Sequence, residues 1–369
     1  MVEPRFTVAV RLLWPGTGRM AIEQARRLPA RLVVYRESSQ PLPYSLEGFP
    51  VSVLQPKGAR GMLSPLFEKV TMMYFSGRGA DATIDLDLIA RASGTVRGPA
   101  LFHDQFGALT GWLRRCRTSE PYATYLHETA LGGGPSVRAV SSSFLTRALR
   151  GYDRTVLRGS GLVLTNSRQN QQVLEGSGIP SSVLYPGCNP LATLPEAREP
   201  LVLATAVWDR TRNMEFYVEL ARRTRARVVL AGAWGRSDEM QEFRSRYRPD
   251  VEVTGPLSEA ALDEISRKAS VYVRFGFGER GPGQGGIQAM AFGIPVVTNR
   301  GLAMSELVDD GQDGFIVESV DEAADRVREL LTDPERHRRM SVAAWEKSKT
   351  LSWQSHADRL RALMEDSLS

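Results

Sequence analysis

The chain has 369 residues, of which 42% are hydrophobic and 24% charged, with a formal net charge of +5; this is an ordinary globular composition with room for two domains. No run of about 18 apolar residues occurs, which excludes a membrane-spanning helix, and the short apolar start predicts a first strand and not a signal peptide. Two cysteines, Cys116 and Cys188, are too few for a disulfide framework or a metal set and favour a reducing cytoplasm.

Short apolar strands alternate with amphipathic helices along the chain, which predicts βα units on parallel sheets. The first series of predicted strands is Thr7–Leu13, Leu32–Tyr35, Val51–Leu54, Ala100–His103, Ala123–His127, Gly161–Thr165 and Val183–Tyr185. A polar, Pro-containing stretch at 189–200 is typical of a linker. The second series is Leu201–Ala206, Arg227–Ala231, Val251–Thr254, Ser270–Val273, Pro295–Thr298 and Phe315–Val317. We therefore predict an α/β fold with two Rossmann-like domains, followed by an amphipathic helix at 353–368.

Two features of the first domain involve turns. The turn after the first strand contains Gly16 and Gly18 and opens a helix at Ala21–Leu28. These glycines fit either a ligand-contacting turn or a βα turn that needs positive φ. Asp85 and Asp87 form an Asp-x-Asp that we interpret as a surface turn.

Two histidines end successive predicted strands of the same domain. His103 is followed by Asp104, and His127 by Glu128. Because the carboxyl ends of parallel strands share one sheet edge, this placement favours a functional site. Each histidine could instead be satisfied by local backbone. A metal set made of these four side chains lacks the helical i, i+4 spacing of many zinc sites.

The most informative segment is 271–298, where a β-branched strand leads into a glycine-rich loop, a small-residue helix and a second strand. A helix N-terminus offers unpaired backbone N–H groups and the positive end of the helix dipole, and both favour a phosphate. Glycines let that phosphate approach the backbone closely. The segment therefore predicts a phosphate or diphosphate site.

The same segment resembles the donor-binding signature of the retaining GT-B glycosyltransferases of family four, also called glycosyl transferases group 1. The resemblance rests on Gln288–Val297, which reads QAMAFGIPVV, on Glu306–Val308 and on Asp313–Val317. In the usual signature a pair of Glu residues flanks the loop. Here Gln288 stands at the second Glu position, and the first falls on Arg280, one residue after Glu279.

The resemblance implies a GT-B fold, in which two Rossmann-like domains have parallel sheets that face a central cleft. Residues 1–190 would bind the acceptor, residues 191–352 would bind the nucleotide sugar donor, and the helix at about 353–369 would cross back to the first domain. Residues that the resemblance assigns to catalysis are His127, Glu279 and Gln288. The donor-binding positions are Gly16, Gly18, Arg210, Arg212, Arg280, Gly283, Gly285, Gly286 and Glu306. His103 and Asp104 are assigned to the acceptor, and neither a metal ion nor a cofactor is expected.

Charge is unevenly distributed along the chain. Residues 1–190 hold 22 Lys and Arg against 13 Asp and Glu, and the remainder holds 25 against 29. The basic residues that gather in the first part are Arg114, Arg115, Arg117, Arg147, Arg150, Arg154 and Arg158. They indicate either solvated helix faces or a half that meets an anionic membrane surface or an acidic acceptor. Nucleic acid is not expected, because no recognition motif or aromatic stacking set accompanies them.

The resemblance implies a cytoplasmic retaining glycosyltransferase that moves a hexose from a nucleotide sugar to a hydroxyl of a glycan or lipid-linked acceptor. The basic first part of the chain favours a peripheral position at the inner face of the membrane. The alternative is a catalytically silent GT-B domain that binds nucleotide or partners an active transferase. The missing Glu pair favours this alternative. A nicotinamide-dependent Rossmann enzyme is disfavoured, since no G-x-G-x-x-G follows a first strand.

Overall fold

The computed structural model describes residues 4–11, 13, 16–35, 45–54, 86–129, 131–132, 143–209 and 212–368, without the side chains of 86–87 and 143–145. Arg210 and the side chains of Asp85 and Asp87 therefore lie outside the described residues. The chain divides into two compact units. We call Met1–Tyr185 with Trp353–Ser369 the N-terminal unit, and Pro186–Ser352 the C-terminal unit.

The N-terminal unit is built on a parallel seven-stranded sheet. Its strands are β1 (Phe6–Val10), β2 (Ala30–Val34), β3 (Val51–Val53), β4 (Ala100–His103), β5 (Ala123–Leu126), β6 (Leu162–Thr165) and β7 (Ser182–Val183). The order across the sheet is β3-β2-β1-β4-β5-β6-β7. Most of these strands are short, apolar and buried, as expected for a sheet covered by helices on both faces.

The described helices of this unit are α1 (Thr17–Arg27), α2 (Leu86–Thr95), α3 (Asp104–Thr118), α4 (Ser143–Gly159), α5 (Arg168–Glu175) and the terminal helix, here called α12 (Trp353–Leu368). Helix α12 is part of the core: Trp353, Leu360 and Met364 are buried in one cluster with strand residues such as Val8 and Leu101. The core of the N-terminal unit is therefore completed by the last segment of the chain.

The C-terminal unit has a parallel six-stranded sheet. Its strands are β8 (Leu201–Thr205), β9 (Arg227–Ala231), β10 (Val251–Gly255), β11 (Val271–Arg274), β12 (Val296–Asn299) and β13 (Gly314–Val317), in the order β10-β9-β8-β11-β12-β13. Its helices are α6 (Met214–Thr224), α7 (Ser237–Tyr247), α8 (Glu259–Lys268), α9 (Gln284–Ala291), a 3-10 helix (Ala303–Glu306), α10 (Val320–Thr332) and α11 (Pro334–Thr350). Side-chain caps from Ser258, Ser319 and Asp333 begin α8, α10 and α11 by accepting backbone N–H bonds.

Both sheets contain a topological switch point. In the N-terminal unit the chain runs outward from β1 to β3 and returns to β4 on the other side of β1. In the C-terminal unit the same reversal places β8 beside β11. Open parallel sheets bind ligands at the carboxyl ends of the strands at this point. The residues that follow β1, β4, β8 and β11 are therefore the first candidates for function.

The predicted α/β architecture with two parallel sheets is confirmed, and each predicted strand overlaps an observed one. Observed strand ends differ from the predicted ones by up to three residues, and the observed strand is shorter at some ends and longer at others. None of the described helices is long and apolar enough to cross a membrane.

Candidate functional site

The glycine-rich loop of the C-terminal unit lies directly on a buried arginine. Arg274 is the last residue of β11 and is 4% exposed, although apolar residues precede it in the strand. Gly283, with φ of 76°, caps helix α9, and a Cβ atom there would lie 2.6 Å from the guanidinium carbon of Arg274. The left-handed φ favours glycine at this position, and any larger residue would also require the Arg274 guanidinium to move. The loop thereby places a guanidinium at the N-terminus of α9.

A carboxylate joins this arginine to a second one. Glu279 accepts hydrogen bonds from Arg212, which lies two residues before α6, and from Arg274 at 3.0 Å. Arg212 is 7% exposed, and Glu279 is half-buried. Both guanidiniums also lie over the ring of Phe277, at 4.9 Å for Arg212 and 4.2 Å for Arg274. We call Arg212, Arg274 and Glu279 the Arg–Glu–Arg cluster.

The Arg–Glu–Arg cluster carries net positive charge, because two guanidiniums share one carboxylate. Burial lowers the pKa of Arg212, but the Glu279 carboxylate outweighs that effect and holds the pKa above its ordinary value. The Nε atoms of Arg212 and Arg274 are buried, and neither has a hydrogen-bond partner among the described residues. Together with the N-terminus of α9, the cluster is suited to bind an anion with several oxygens.

Two further glycines of the loop serve the packing of α9. A Cβ atom at Gly285 would lie 2.0 Å from Oγ1 of Thr205, and one at Gly286 would lie 2.6 Å from the sulfur of Met304. Thr205 ends β8 and its hydroxyl is 2.9 Å from that of Tyr272 in β11. The helix therefore sits against the switch point so closely that these two positions admit no side chain without movement.

The other predicted residues of this unit have different surroundings. Gln288 is half-buried, and its amide donates to the Asn189 carbonyl at 3.4 Å and accepts from the Asn189 backbone N–H at 3.5 Å. Glu306 ends the 3-10 helix and is half-buried, as is Arg280 in the loop. The structure thus joins Arg212, Glu279 and Gly283 around Arg274, and it bonds Gln288 to the linker.

The N-terminal unit brings its two predicted histidines together. Nδ1 of His103 lies 3.0 Å from Nε2 of His127, and the two rings are stacked with centroids 5.3 Å apart. His103 is fully buried, whereas His127 is half-buried. His127 is therefore the one of the pair with a surface that a ligand could reach.

Asp104 lies beside this pair in a strained conformation. Its φ of 61° is unusual for a residue other than glycine, and its Oδ1 accepts from the backbone N–H groups of Phe106 and Gly107 at the start of α3. Its other oxygen accepts from Nε of Arg11, 2.6 Å away, across the switch point between β1 and β4. Asp104 thus caps α3 and holds Arg11 at the carboxyl edge of the sheet.

The two glycines of the first turn have different structural roles. Gly16 has φ of 95°, and a Cβ atom there would meet no described atom within 4 Å. A Cβ atom at Gly18 would lie 2.7 Å from the backbone of Leu13. Gly18 is thus required by packing, while at Gly16 it is the positive φ that favours glycine.

Sequence reasoning missed three residues of these sites. The predicted strand Ser270–Val273 stops one residue before Arg274 and assigns this arginine no role, although a charged residue at the end of a buried strand is itself a signal. The other two are Gln24 and His356, which bond next to the two histidines. The Gln24 side chain lies 2.8 Å from His103, and His356 lies 3.0 Å from Gln24. Their helical positions in α1 and α12 gave no periodicity by which they could be found. Among the described residues, no group of three or more His, Cys, Asp and Glu side chains could hold a metal ion.

A known protein family matches the sequence of much of the C-terminal unit. The sequence model of the family Glycosyl transferases group 1 matches residues 199–333, which include the whole Arg–Glu–Arg cluster. A GDP-mannose-dependent alpha-mannosyltransferase from Corynebacterium glutamicum is 26% identical over 151 residues. That match covers 40% of this chain and 35% of the relative, so it spans about a third of the relative's length.

Solved structures match over nearly the whole chain. HepE from Anabaena, determined in complex with UDP and glucose, has a TM-score of 0.74 at 16% identity, covering 98% of this chain and 100% of that one. Sucrose-phosphate synthase from Thermosynechococcus elongatus has a TM-score of 0.74 at 16% identity, covering 98% of both chains. At this identity the likeness establishes the fold, and the fold is the α/β GT-B fold predicted from the sequence.

Proposed function

We propose that this protein is a retaining glycosyltransferase that takes a sugar from a nucleotide diphosphate sugar bound by its C-terminal unit. The observation that carries the proposal is the Arg–Glu–Arg cluster, held against the N-terminus of α9 by Gly283 at the switch point of the sheet. The cluster lies within the residues that match the Glycosyl transferases group 1 model.

The cluster suits the chemistry of sugar transfer. When the bond between the anomeric carbon and the diphosphate breaks, negative charge develops on the leaving phosphate oxygens. Preorganised guanidiniums and the α9 dipole stabilise that charge without having to reorganise. Glu279, which we expected to be catalytic, has a positioning role in this account, since its carboxylate holds both arginines. Arg280 and Glu306 are proposed to contact the phosphates and the ribose, respectively.

Charge stabilisation of this kind requires no metal ion, so we propose metal-independent transfer. Retention would follow from attack of the acceptor hydroxyl on the face that the diphosphate leaves. His127 is proposed to lie at the transferred sugar, as the only member of the histidine pair with exposed surface. Gln288 would hydrogen bond a donor hydroxyl, for which an amide serves as well as a carboxylate.

The donor base and the acceptor are proposed from the relatives and from charge. HepE was determined with UDP and with UDP-glucose, and the Corynebacterium relative depends on GDP-mannose, so UDP and GDP sugars are the first candidates. The basic N-terminal unit suits a glycan or lipid-linked acceptor at an anionic membrane surface, where the protein would bind peripherally from the cytoplasm.

Turnover of UDP-glucose and GDP-mannose, followed by release of the nucleoside diphosphate with and without EDTA, tests the proposal. We expect turnover of one donor that EDTA leaves unchanged, and a product with the donor's anomeric configuration by NMR. Loss of turnover in EDTA would contradict metal independence, and an inverted product would contradict retention.

A catalytically silent nucleotide-binding domain is the second candidate. Gln288 in place of a Glu and the engagement of Glu279 by two arginines both favour it. This candidate predicts that UDP or GDP binds in calorimetry while no donor turns over, and that Gln288→Glu gains turnover. Turnover by the wild-type protein would exclude it.

A further inference from the structure

Four polar side chains of the N-terminal unit form one continuous hydrogen-bonded chain. Nδ1 of His356 lies 2.7 Å from the carbonyl oxygen of Tyr185, and Nε2 of His356 lies 3.0 Å from the side-chain nitrogen of Gln24. The side-chain oxygen of Gln24 lies 2.8 Å from Nε2 of His103. Nδ1 of His103 lies 3.0 Å from Nε2 of His127. The chain thus links the terminal helix α12 to the half-buried His127.

The Tyr185 carbonyl, at one end of this series of hydrogen bonds, determines which atom donates in each of them. The Tyr185 carbonyl only accepts, so Nδ1 of His356 carries hydrogen and the Nε2 atom of a neutral His356 accepts from the Gln24 amide. The Gln24 oxygen then accepts from Nε2–H of His103, which leaves Nδ1 of His103 as an acceptor. His127 must donate from Nε2, and a neutral His127 therefore has its lone pair on Nδ1.

Neutral rings are what this environment favours. His103 is fully buried and His356 is 4% exposed. Burial lowers the pKa of His103 well below its ordinary value, and it lowers the pKa of His127 and of His356 to about 4. The reversed orientation of Gln24 would require His356 to donate from both nitrogens and hence to carry a buried positive charge.

The ring of His127 is also held in place by its neighbours. It packs 5.1 Å from the ring of Tyr125, which lies 5.5 Å from that of His103. The His127 carbonyl accepts from the side-chain amide of Asn170 at 3.2 Å. No described residue hydrogen bonds Nδ1 of His127, which is the ring nitrogen on the other side from His103.

We propose that His356, Gln24 and His103 are positioning residues that fix His127 in its neutral Nε2–H tautomer, so that Nδ1 accepts a hydrogen bond from a sugar hydroxyl of the substrate. The tautomer assignment stands on the hydrogen-bonded chain alone, and the hydroxyl ligand rests on the proposed function. A relay of this form explains why a helix at the far end of the sequence contributes a buried histidine to this unit.

The tautomer is measured directly by long-range ¹H–¹⁵N NMR of histidine-labelled protein at neutral pH, where protonated and lone-pair nitrogens have well separated shifts. The chain has four histidines, so single His→Gln variants assign the spectra. His337→Gln serves as the control, because His337 bonds the Ser270 carbonyl in the C-terminal unit. We expect a protonated Nε2 and a lone pair on Nδ1 for His127. A protonated Nδ1 on His127 in the wild-type protein would overturn the proposal, whether or not any sugar is transferred.

Gln24→Met tests the relay itself, since methionine has a similar shape but neither donates nor accepts a strong hydrogen bond. We expect the His127 signals to show a mixture of tautomers, and kcat for the donor that turns over to fall about tenfold while KM for the nucleotide part changes little. Gln354→Met, an exposed change on helix α12, should alter neither. Unchanged His127 signals in a folded Gln24→Met protein would overturn the relay. Wild-type protein with the expected tautomer but without turnover would count against the proposed function alone.

Discussion

At the scale of single residues, the two arginines of the Arg–Glu–Arg cluster are expected to recognise phosphate. Arg212→Ala and Arg274→Ala should each weaken UDP or GDP binding by about 1.5–3 kcal/mol, because charge-assisted hydrogen bonds contribute that much, and should leave nucleoside binding nearly unchanged. Calorimetry with nucleoside and nucleoside diphosphate in parallel measures the difference. Arg222→Ala is the matched control, since Arg222 pairs with Asp250 on the surface of the same unit. Equal losses for nucleoside and diphosphate would place the cluster away from the phosphates.

Glu279 is expected to matter most when no ligand is bound. Glu279→Gln leaves two buried guanidiniums with no counter-charge between them and should lower the free energy of unfolding by about 1–3 kcal/mol. A bound diphosphate supplies the missing charge, so the loss should shrink when UDP or GDP is added. Thermal unfolding of the variant with and without nucleotide measures both effects, and Asp250→Asn provides a surface control. A loss of stability that nucleotide does not reduce would contradict this role.

At the scale of elements, the contact between α9 and the switch point sets the position of the whole loop. Gly285→Ala forces a methyl group to within 2.0 Å of Thr205 Oγ1 and should destabilise the protein by about 1–3 kcal/mol. Gly151→Ala in helix α4 is the control, because a Cβ atom there meets no atom of the described residues within 4 Å. That change should be neutral or stabilising by up to about 1 kcal/mol. Denaturant unfolding compares the two, and an equally small effect at Gly285 would show that α9 readily shifts.

The strands and helices could be predicted from the sequence, because apolar residues recur with a different period in a strand and in a helix. Alternating strand and helix patterns located the two sheets, and the glycine-rich stretch located the start of α9. Long-range side-chain bonds could not be predicted in the same way. Glu279 is identified by its place in a motif, but its hydrogen bond with Arg274 is recognisable only once β11 and the loop are folded together.

The histidine relay shows the same limit more strongly. His103 and His127 follow adjacent strands, so their proximity could be expected from the sheet alone. His356 lies 332 positions from Gln24, and no local pattern connects the two. Buried polar networks of this kind depend on packing that unites distant segments, which a single sequence does not encode in any short window.

At the scale of the whole molecule, the buried neutral histidines make stability depend on pH. In the unfolded chain His356 titrates near pH 6.5, but in the folded protein its pKa is about 4. Between these values only the unfolded state binds the proton, so the free energy of unfolding falls as the pH drops from about 6.5 to about 4. The full loss for His356 is roughly 3 kcal/mol, since one pKa unit corresponds to about 1.4 kcal/mol.

Denaturant unfolding at a series of pH values between about 7.5 and 5.5 measures this dependence. His356→Gln removes one of the titrating histidines and should reduce the slope in that range, where most carboxylates are still ionised, while His103 and His127 still contribute to it. Identical slopes for the variant and the wild-type protein would show that His356 is protonated equally in the folded and unfolded states.

The uneven charge of the chain bears on where the protein acts. Arg147, Arg154 and Arg158 are exposed on helix α4, whereas Arg114 is buried and paired with Glu120. Co-sedimentation with vesicles should therefore increase with phosphatidylglycerol content and disappear in high salt, which screens charge. Reversing Arg147 and Arg154 to Glu should abolish it, and reversing Arg222 in the C-terminal unit should not. Absence of binding at low salt would favour a soluble acceptor.

The placement of helix α12 also determines the order in which the protein can be completed during synthesis. The C-terminal unit is one continuous stretch, Pro186–Ser352, and all of it is translated before Trp353. The N-terminal unit begins first but lacks Trp353, Leu360 and Met364 from its core until the last helix has left the ribosome. Domains usually mature in the order of the chain. Here the unit whose synthesis starts first is completed last. Until helix α12 is added, its apolar core residues are exposed and His356 is absent.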